Sequence, residues 1–252
     1  MMHMVGYFGS IANGSAFVQL DALTDSVAQI RDSAIVAPTG KFNLDRVIAG
    51  IFYSANLTRA QLQLPSLRKY GNYEFRPVAN AFAAGGAMTP NADLYNVPLI
   101  VEPGEELPLY VIHSNAAAQD VYAALLLADE VPKPDYRERI SVHATSSTTL
   151  TANAWTSCSL AFDTQLPKGS FALVGMRAKS AGGVAFRVQS QTTPFYPGGF
   201  CQQSDLALDY PHQRDGGWGV WCEFDYLTPP AIWMLSTSAD TSEDFILDLV
   251  PL

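Results

Sequence analysis

Two carboxylates near the C-terminal end of the chain have a spacing that could support acid–base chemistry. Glu223 and Asp225 alternate with apolar residues in the stretch WCEFDYL, residues 221–227. Alternation places both side chains on the same side of a strand, and paired carboxylates of this kind can hydrolyse glycosidic bonds. The same pattern is also typical of the solvated outer face of a strand, and the sequence favours that interpretation.

Four residues with metal-ligating side chains lie just upstream. A cluster of this composition could gather around Ca²⁺ or another cation. It has neither the residue order of an EF-hand nor the glycine which that turn requires, so we predict a polar loop with no metal and no cofactor. The four residues are Asp205, Asp209, His212 and Asp215.

The three cysteines, Cys158, Cys201 and Cys222, are predicted to be buried and reduced, because their number is odd and no CxxC spacing occurs. Cys222 and His212 lack a third partner for nucleophilic catalysis. The glycine-rich stretch at 216–221 lacks the Lys and Ser/Thr of a phosphate loop, and the chain contains no GxSxG or HExxH. We therefore expect no enzymatic activity.

The charge and composition of the chain limit the kinds of partner that it can bind. The 252-residue chain carries 15 basic and 24 acidic residues, for a net charge of −9. Nucleic-acid binding requires clustered Lys and Arg, so direct binding is not expected. Residues 1–15 lack the basic region and the apolar core of a signal peptide, and no apolar run reaches the ~18 residues of a membrane span. Synthesis in a cytoplasm is expected.

Short apolar stretches rich in Val, Ile, Thr and aromatic residues recur along the chain, with most of the 16 prolines and 18 glycines between them. Helical periodicity is weak, so the sequence predicts an all-β sandwich class. The segment 129–139, with its Xaa-Pro steps, is typical of a linker. We expect a first sandwich at 1–130, a linker at 131–139 and a second sandwich at 140–252.

Two features repeat between these halves. Gly50 and Ala60 in the first half match Gly175 and Ala185 in the second, at an offset of 125 residues. Two apolar stretches, residues 107–129 and 230–250, each read as a hairpin that closes its unit. Both features suggest that one sandwich was duplicated.

Each half also contains a long stretch with weak patterning, at 65–96 and 191–217. Loops of this length are usually functional, and both occupy the same place in their unit. Their aromatic and arginine side chains are candidates for subunit contacts, or alternatively for caps over the end of each core. The candidates are Tyr70, Tyr73, Phe75, Arg76, Tyr95, Phe195, Tyr196, Phe200, Tyr210 and Trp218.

Stretches such as NLTRAQLQLPSLR, PLIVEPGEELPLYVIHSNAAAQDVYAALLLAD and GSFALVGMRAKSAGGVAFRV look like phage virion proteins. With the tandem organisation, the chain resembles the double jelly-roll major capsid proteins of tailless icosahedral viruses, especially those of membrane-containing phages such as corticoviruses and finnlakeviruses. The resemblance implies two tandem jelly rolls, a homotrimer forming a pseudo-hexagonal capsomer, and a location in the virion. It also implies contacts with neighbouring capsomers, minor capsid proteins and an internal membrane, and an N-terminal arm at 1–15.

Other functions fit the same sequence, because fold does not fix function. A tandem carbohydrate-binding or adhesion protein could use loop aromatics to stack on sugar rings. A minor virion protein, such as a spike or vertex component, is a third interpretation.

Overall fold

A computed structural model of the chain describes residues 1–12, 14, 16–38, 44–54, 57–67, 73–75, 94, 98–113, 117–130, 138–204, 211, 215–216 and 219–252. Within these residues the secondary structure consists of strands and a single 3₁₀ turn at Pro65–Leu67, without an α-helix. Contacts divide the chain into two units. The first runs from residue 5 to residue 131 for the most part, and the second comprises residues 132–252 together with residues 2–4.

The first twelve strands build two larger sheets and one small one. The strands are β1 (Met2–Ile11), β2 (Val18–Gln19), β3 (Asp21–Ala22), β4 (Gln29–Arg31), β5 (Ala34–Val36), β6 (Arg46–Tyr53), β7 (Leu57–Leu62), β8 (Tyr73–Phe75), β9 (Leu99–Ile100), β10 (Glu106–Leu107), β11 (Leu109–His113) and β12 (Gln119–Ala128). One sheet has the order β3-β1-β12-β6-β9, another β2-β11-β7-β8, and the small sheet β10-β5-β4.

The second unit has the same plan. Its strands are β13 (Ile140–Ser146), β14 (Trp155–Cys158), β15 (Ala161–Phe162), β16 (Ser170–Ser180), β17 (Gly183–Gln189), β18 (Gly198–Phe200), β19 (Gln202–Gln203), β20 (Asp215–Gly216), β21 (Cys222–Asp225), β22 (Ala231–Ser236) and β23 (Glu243–Pro251). One sheet contains β15-β13-β23-β16, with β19, β20 and β21 also paired to β16, and the other has the order β14-β22-β17-β18.

Strand order identifies both units as jelly rolls. Eight main strands are counted in chain order in each unit: β1, β2, β6, β7, β8, β9, β11 and β12 in the first, and β13, β14, β16, β17, β18, β21, β22 and β23 in the second. In both, one sheet has the order first–eighth–third–sixth and the other second–seventh–fourth–fifth. This is the eight-stranded double Greek key of a jelly roll, so the predicted all-β fold with two tandem jelly rolls is confirmed.

The repeated small residues occupy equivalent places in the two units. Gly50 pairs with Leu125 of the eighth strand, and Gly175 pairs with Asp248 of the corresponding strand. A Cβ on Gly50 would lie 3.0 Å from Leu125 Cδ2 on the neighbouring strand and 3.2 Å from Phe75 Cε1 on the facing sheet, so both leave little room for a side chain. The rings of Phe52 and Phe75 lie 4.9 Å apart and join the two sheets of the first unit.

The two apolar stretches that resemble hairpins are not hairpins. In the first unit β11 pairs with β2 and β7, whereas β12 pairs with β6. In the second unit β22 and β23 likewise belong to different sheets. Each connection therefore crosses from one sheet to the other, because the jelly roll places its seventh and eighth strands on opposite sides of the core.

The expected N-terminal arm is also wrong. Residues 2–11 form β1, the first main strand of the first jelly roll, and Met4, Val5 and Tyr7 are fully buried. The Tyr7 hydroxyl donates a hydrogen bond of 2.9 Å to the carbonyl of Leu107. Burial raises the pKa of Tyr7 far above its ordinary value. The segment is a structural part of the sandwich rather than an extension from it.

The two long stretches are not loops throughout. The first contains β8 and the second contains β18, and each of these is the fifth main strand of its unit. Of the expected linker, residues 131–137 lie outside the described part of the chain.

Candidate functional site

The carboxylate pair lies on β21, and the expected geometry is confirmed. Glu223 and Asp225 are exposed, while Cys222 and Phe224 point inward. The hydroxyl oxygen of Thr192 accepts a hydrogen bond from the Glu223 amide at 3.2 Å and donates one to the Glu223 carbonyl at 3.0 Å. Asp225 accepts a hydrogen bond from the amide of Leu227, so one of its oxygens stabilises the following turn.

These carboxylates border an open cleft of about 530 Å³ at one end of the second jelly roll. The turn after β17 forms one wall, and the segment from β21 to the start of β22 forms the other. No basic side chain is among the described residues that line the cleft, so its chemistry disfavours anionic ligands. The lining residues are Gln189, Ser190, Gln191, Thr192, Glu223, Phe224, Asp225, Thr228, Pro229, Pro230 and Ala231.

The predicted metal candidates do not form a site in the described part of the chain. Asp205, Asp209 and His212 lie outside the described residues. Asp215 is buried, and its carboxylate accepts a hydrogen bond of 2.8 Å from the amide of Phe200. Asp215 thus holds β18 in place, and the described residues contain no group of three or more potential ligands.

The cysteines are free and buried, as the sequence predicts. Burial raises the pKa of Cys158 and of Cys222 to about 12, and it raises the pKa of Cys201 well above its ordinary value. A thiol is a nucleophile only as the thiolate. The three side chains are therefore packing groups near neutral pH.

Two of the aromatic residues predicted to contact other subunits belong to the core instead. Phe75 and Phe200 are fully buried and occupy the fifth strand of their respective units. Phe75 pairs with Ala60, and Phe200 pairs with Ala185, at the same 125-residue offset. Neither ring can reach a neighbouring chain while the sandwich is folded, so the interface assignment of these two residues is wrong.

The aromatic pair Phe195 and Tyr196 is buried as well. The imidazole of His3, which lies in the first residues of β1 that contacts group with the second unit, is 6.1 Å from the Phe195 ring and 5.5 Å from the Tyr196 ring. Its Nδ1 accepts a hydrogen bond of 3.0 Å from the Tyr196 amide. The guanidinium of Arg187 lies 4.9 Å from the Tyr196 ring. Because these contacts are internal, they also argue against an intersubunit role for the pair.

Tyr73 is the one remaining described candidate. It is half-buried and lies edge-on to Phe75 at 5.0 Å, and burial raises its pKa. Tyr70, Arg76, Tyr95, Tyr210 and Trp218 lie outside the described residues.

Exposed aliphatic side chains, which the sequence analysis missed, lie at similar places in the two units. Ile100 in β9 is 63% exposed, and Leu227 just after β21 is 71% exposed. Both lie at or just after the sixth main strand of their jelly roll. In both cases a proline and an acidic residue lie within three positions, which is a turn signal in the sequence.

A charged row on the second unit was also missed. His143 has Nδ1 2.5 Å from an Asp163 oxygen and Nε2 3.4 Å from an Asp244 oxygen. Lys179 lies 2.8 Å from the other oxygen of Asp244. His143, Asp244 and Lys179 lie on the neighbouring strands β13, β23 and β16, and Asp163 follows β15. The row joins three strands electrostatically and carries no catalytic geometry of its own.

No helix among the described residues is both long enough and apolar enough to cross a membrane. No protein-family model matches the chain, and a search of curated proteins returns no match. Among solved structures, the crystal structure of the major capsid protein P2 from bacteriophage PM2 is 11% identical, covers 100% of this chain and 98% of that chain, and has a TM-score of 0.26. At this score the similarity carries no argument, so the fold assignment above rests on the strand pairing of this chain alone.

Proposed function

We propose that this chain is a structural protein of a bacteriophage virion, and that it is the major protein of an icosahedral shell. The supporting observation is the presence of two jelly rolls with the same strand order in one chain. Jelly rolls are common in viral capsid and lectin domains. Two sandwiches with the same strand order in one chain suit equivalent positions in a closed, symmetric lattice.

In this proposal three chains form a homotrimer whose six jelly rolls make a pseudo-hexagonal capsomer. Neighbouring capsomers, minor capsid proteins and an internal membrane are its proposed partners, without direct contact with nucleic acid. The exposed Ile100 and Leu227 are the described side chains best suited to intersubunit contacts, because apolar side chains enter the desolvated core of an interface.

Mass measurement after size-exclusion chromatography, combined with negative-stain electron microscopy, tests the proposal on the purified chain. We expect a trimer or a larger particle, with hexagonal outlines. The double variant Ile100→Asp/Leu227→Asp should shift the mass towards the monomer, and Glu223→Gln serves as its surface control. A monomer at all concentrations, with no assembly, would contradict the proposal. Copy number per particle separates a major from a minor virion protein.

A second candidate function is carbohydrate binding, and the cleft beside Glu223 and Asp225 is the observation that favours it. Carboxylate, amide and hydroxyl groups line it without a basic residue, which suits a neutral polyhydroxylated ligand. A glycan array followed by titration calorimetry tests this function. Saturable binding that is lost in Glu223→Gln/Asp225→Asn would support it, and an array without signal would remove it.

A further inference from the structure

A carboxyl group without a hydrogen-bond partner is buried in the second jelly roll. Glu243 begins β23 and pairs with Ser146 at the end of β13. Its residue is 1% exposed, and neither carboxylate oxygen has a hydrogen-bond partner within the described residues. A buried charge without a partner is unfavourable, so the group is more stable in its neutral form.

The charges around Glu243 do not favour its ionised form. Asp240 in the preceding turn is a second acid acting on Glu243. Burial by itself would raise the pKa of Asp240, but hydrogen bonds lower it below its ordinary value. The donors are Ser180 Oγ at 2.6 Å, Ala181 N at 2.7 Å, Thr241 N at 2.8 Å and Ser242 Oγ at 3.0 Å. Asp240 is therefore a fixed negative charge.

The other neighbours of Glu243 do not supply a positive charge either. The thiols of Cys158 and Cys201, from β14 and from just after β18, lie close enough to interact with it electrostatically. Asp244 follows in the chain and binds Lys179 and His143. Among the described groups that act on Glu243, namely Ser146, Asp240 and Asp244, none is a cation.

Burial is the main cause that raises the pKa of Glu243 from 4.5 to about 7. The nearby Ser146 hydroxyl, although outside hydrogen-bond geometry, offsets this rise in part, while the negative charges of Asp240 and Asp244 add to it. The folded chain therefore binds the proton more tightly than the unfolded chain, and the folding equilibrium depends on pH.

We propose that Glu243 is a proton-dependent switch that keeps one end of the second jelly roll closed while it is neutral and loosens that end when it ionises. The affected elements are the ends of β13 and β22, the start of β23 and the turn between β22 and β23. Because Glu243 is 1% exposed and pairs with Ser146, hydration of its ionised form requires a local opening at this end of β23 and β13. The proposal concerns the chain itself and does not depend on its proposed function.

The direction of the effect follows from the two pKa values. Because the folded value is higher, the stability from a neutral Glu243 is fully present below pH 4.5 and is lost as pH rises through about 7. Each pH unit in this window changes the folding equilibrium by up to tenfold. We therefore expect a loss on the order of 100-fold in the folding equilibrium between about pH 4.5 and about pH 8.

Urea unfolding of the wild type and of Glu243→Gln, from about pH 4.5 to about pH 8.5, tests the proposal. Glutamine has nearly the same shape as glutamate but cannot ionise. The free energy of unfolding of Glu243→Gln, relative to that of the wild type, should therefore rise between pH 4.5 and about 7 and become constant above that range. Glu223→Gln, an exposed glutamate on β21, is the matched control and should follow the wild type. If the free energy of unfolding changes with pH in the same way in the wild type and in Glu243→Gln, the proposal is overturned.

A second measurement addresses the case in which Glu243→Gln does not fold. Hydrogen exchange of the wild type, corrected for the intrinsic effect of pH, should show faster opening of residues 236–246 at about pH 8 than at about pH 5. Residues 171–177 in the centre of β16 should keep their protection. If residues 236–246 have the same protection at both pH values, local loosening is refuted. Infrared detection of an ionised buried glutamate at about pH 5 would refute the neutral state on which the switch depends.

Discussion

Replacing Phe200 by alanine distinguishes a core ring from an interface ring. Phe200 is fully buried on β18. A buried aromatic side chain removes roughly 150–250 Å² from water, which at about 25 cal/mol per Å² gives about 4–6 kcal/mol. Alanine retains only the Cβ, so we expect Phe200→Ala to lower the free energy of unfolding by about 3–5 kcal/mol.

Urea unfolding followed by tryptophan fluorescence, with mass measurement on the folded fraction, is the suitable assay. Phe75→Ala should lower the free energy of unfolding by a similar amount, because Phe75 is equally buried at the equivalent position of the first unit. Leu227→Ala, at a 71% exposed residue, should change stability by less than about 0.5 kcal/mol. If Phe200→Ala is too unstable to purify, Phe200→Leu provides the same comparison with a smaller loss.

The core assignment would be refuted by a Phe200→Ala chain that unfolds at the wild-type midpoint but no longer assembles. That result is what an exposed interface ring produces. The expected result is the reverse, with a lower midpoint and an unchanged mass for the molecules that remain folded.

Other substitutions test different features of the sandwiches. Gly216 has a φ of +126°, and a Cβ there would lie 2.3 Å from the β16 backbone, so Gly216→Ala should lower the free energy of unfolding by about 3 kcal/mol or more. Gly14→Ala is its control, because the nearest described atom to a Cβ there is the Ala16 amide nitrogen at 3.9 Å, and thermal unfolding compares the two. Asp215→Ala leaves a buried amide on β18 without its acceptor and should cost about 1–3 kcal/mol in urea unfolding; an unchanged midpoint would show that another acceptor replaces it. Leu227→Asp should weaken assembly in analytical ultracentrifugation while leaving the unfolding midpoint unchanged, and equal masses for variant and wild type would exclude Leu227 as a contact.

Local patterns in the sequence were sufficient for several features because they depend on neighbouring residues. The β-branched and aromatic stretches predicted the strands, and the alternation in residues 221–227 predicted that Glu223 and Asp225 share an exposed face. The lack of CxxC spacing predicted the free thiols. The 125-residue offset of Gly50 and Gly175 predicted two similar units, and both glycines lie on the third main strand of their unit, paired with its eighth.

Only the tertiary structure decided which strands pair. Consecutive strands usually neighbour each other, which made the stretch at 107–129 look like a hairpin, but a jelly roll sends its seventh and eighth strands to opposite sheets. For the same reason Phe200, which was expected in a loop, lies in the core, and residues 2–11, which were expected to form an arm, form a strand. It also buried Glu243 with no hydrogen-bond partner among the residues that the structure describes. Burial depends on what the opposite sheet places over a residue, and such a partner can lie far away in the chain, as Leu107 lies 100 residues from Tyr7.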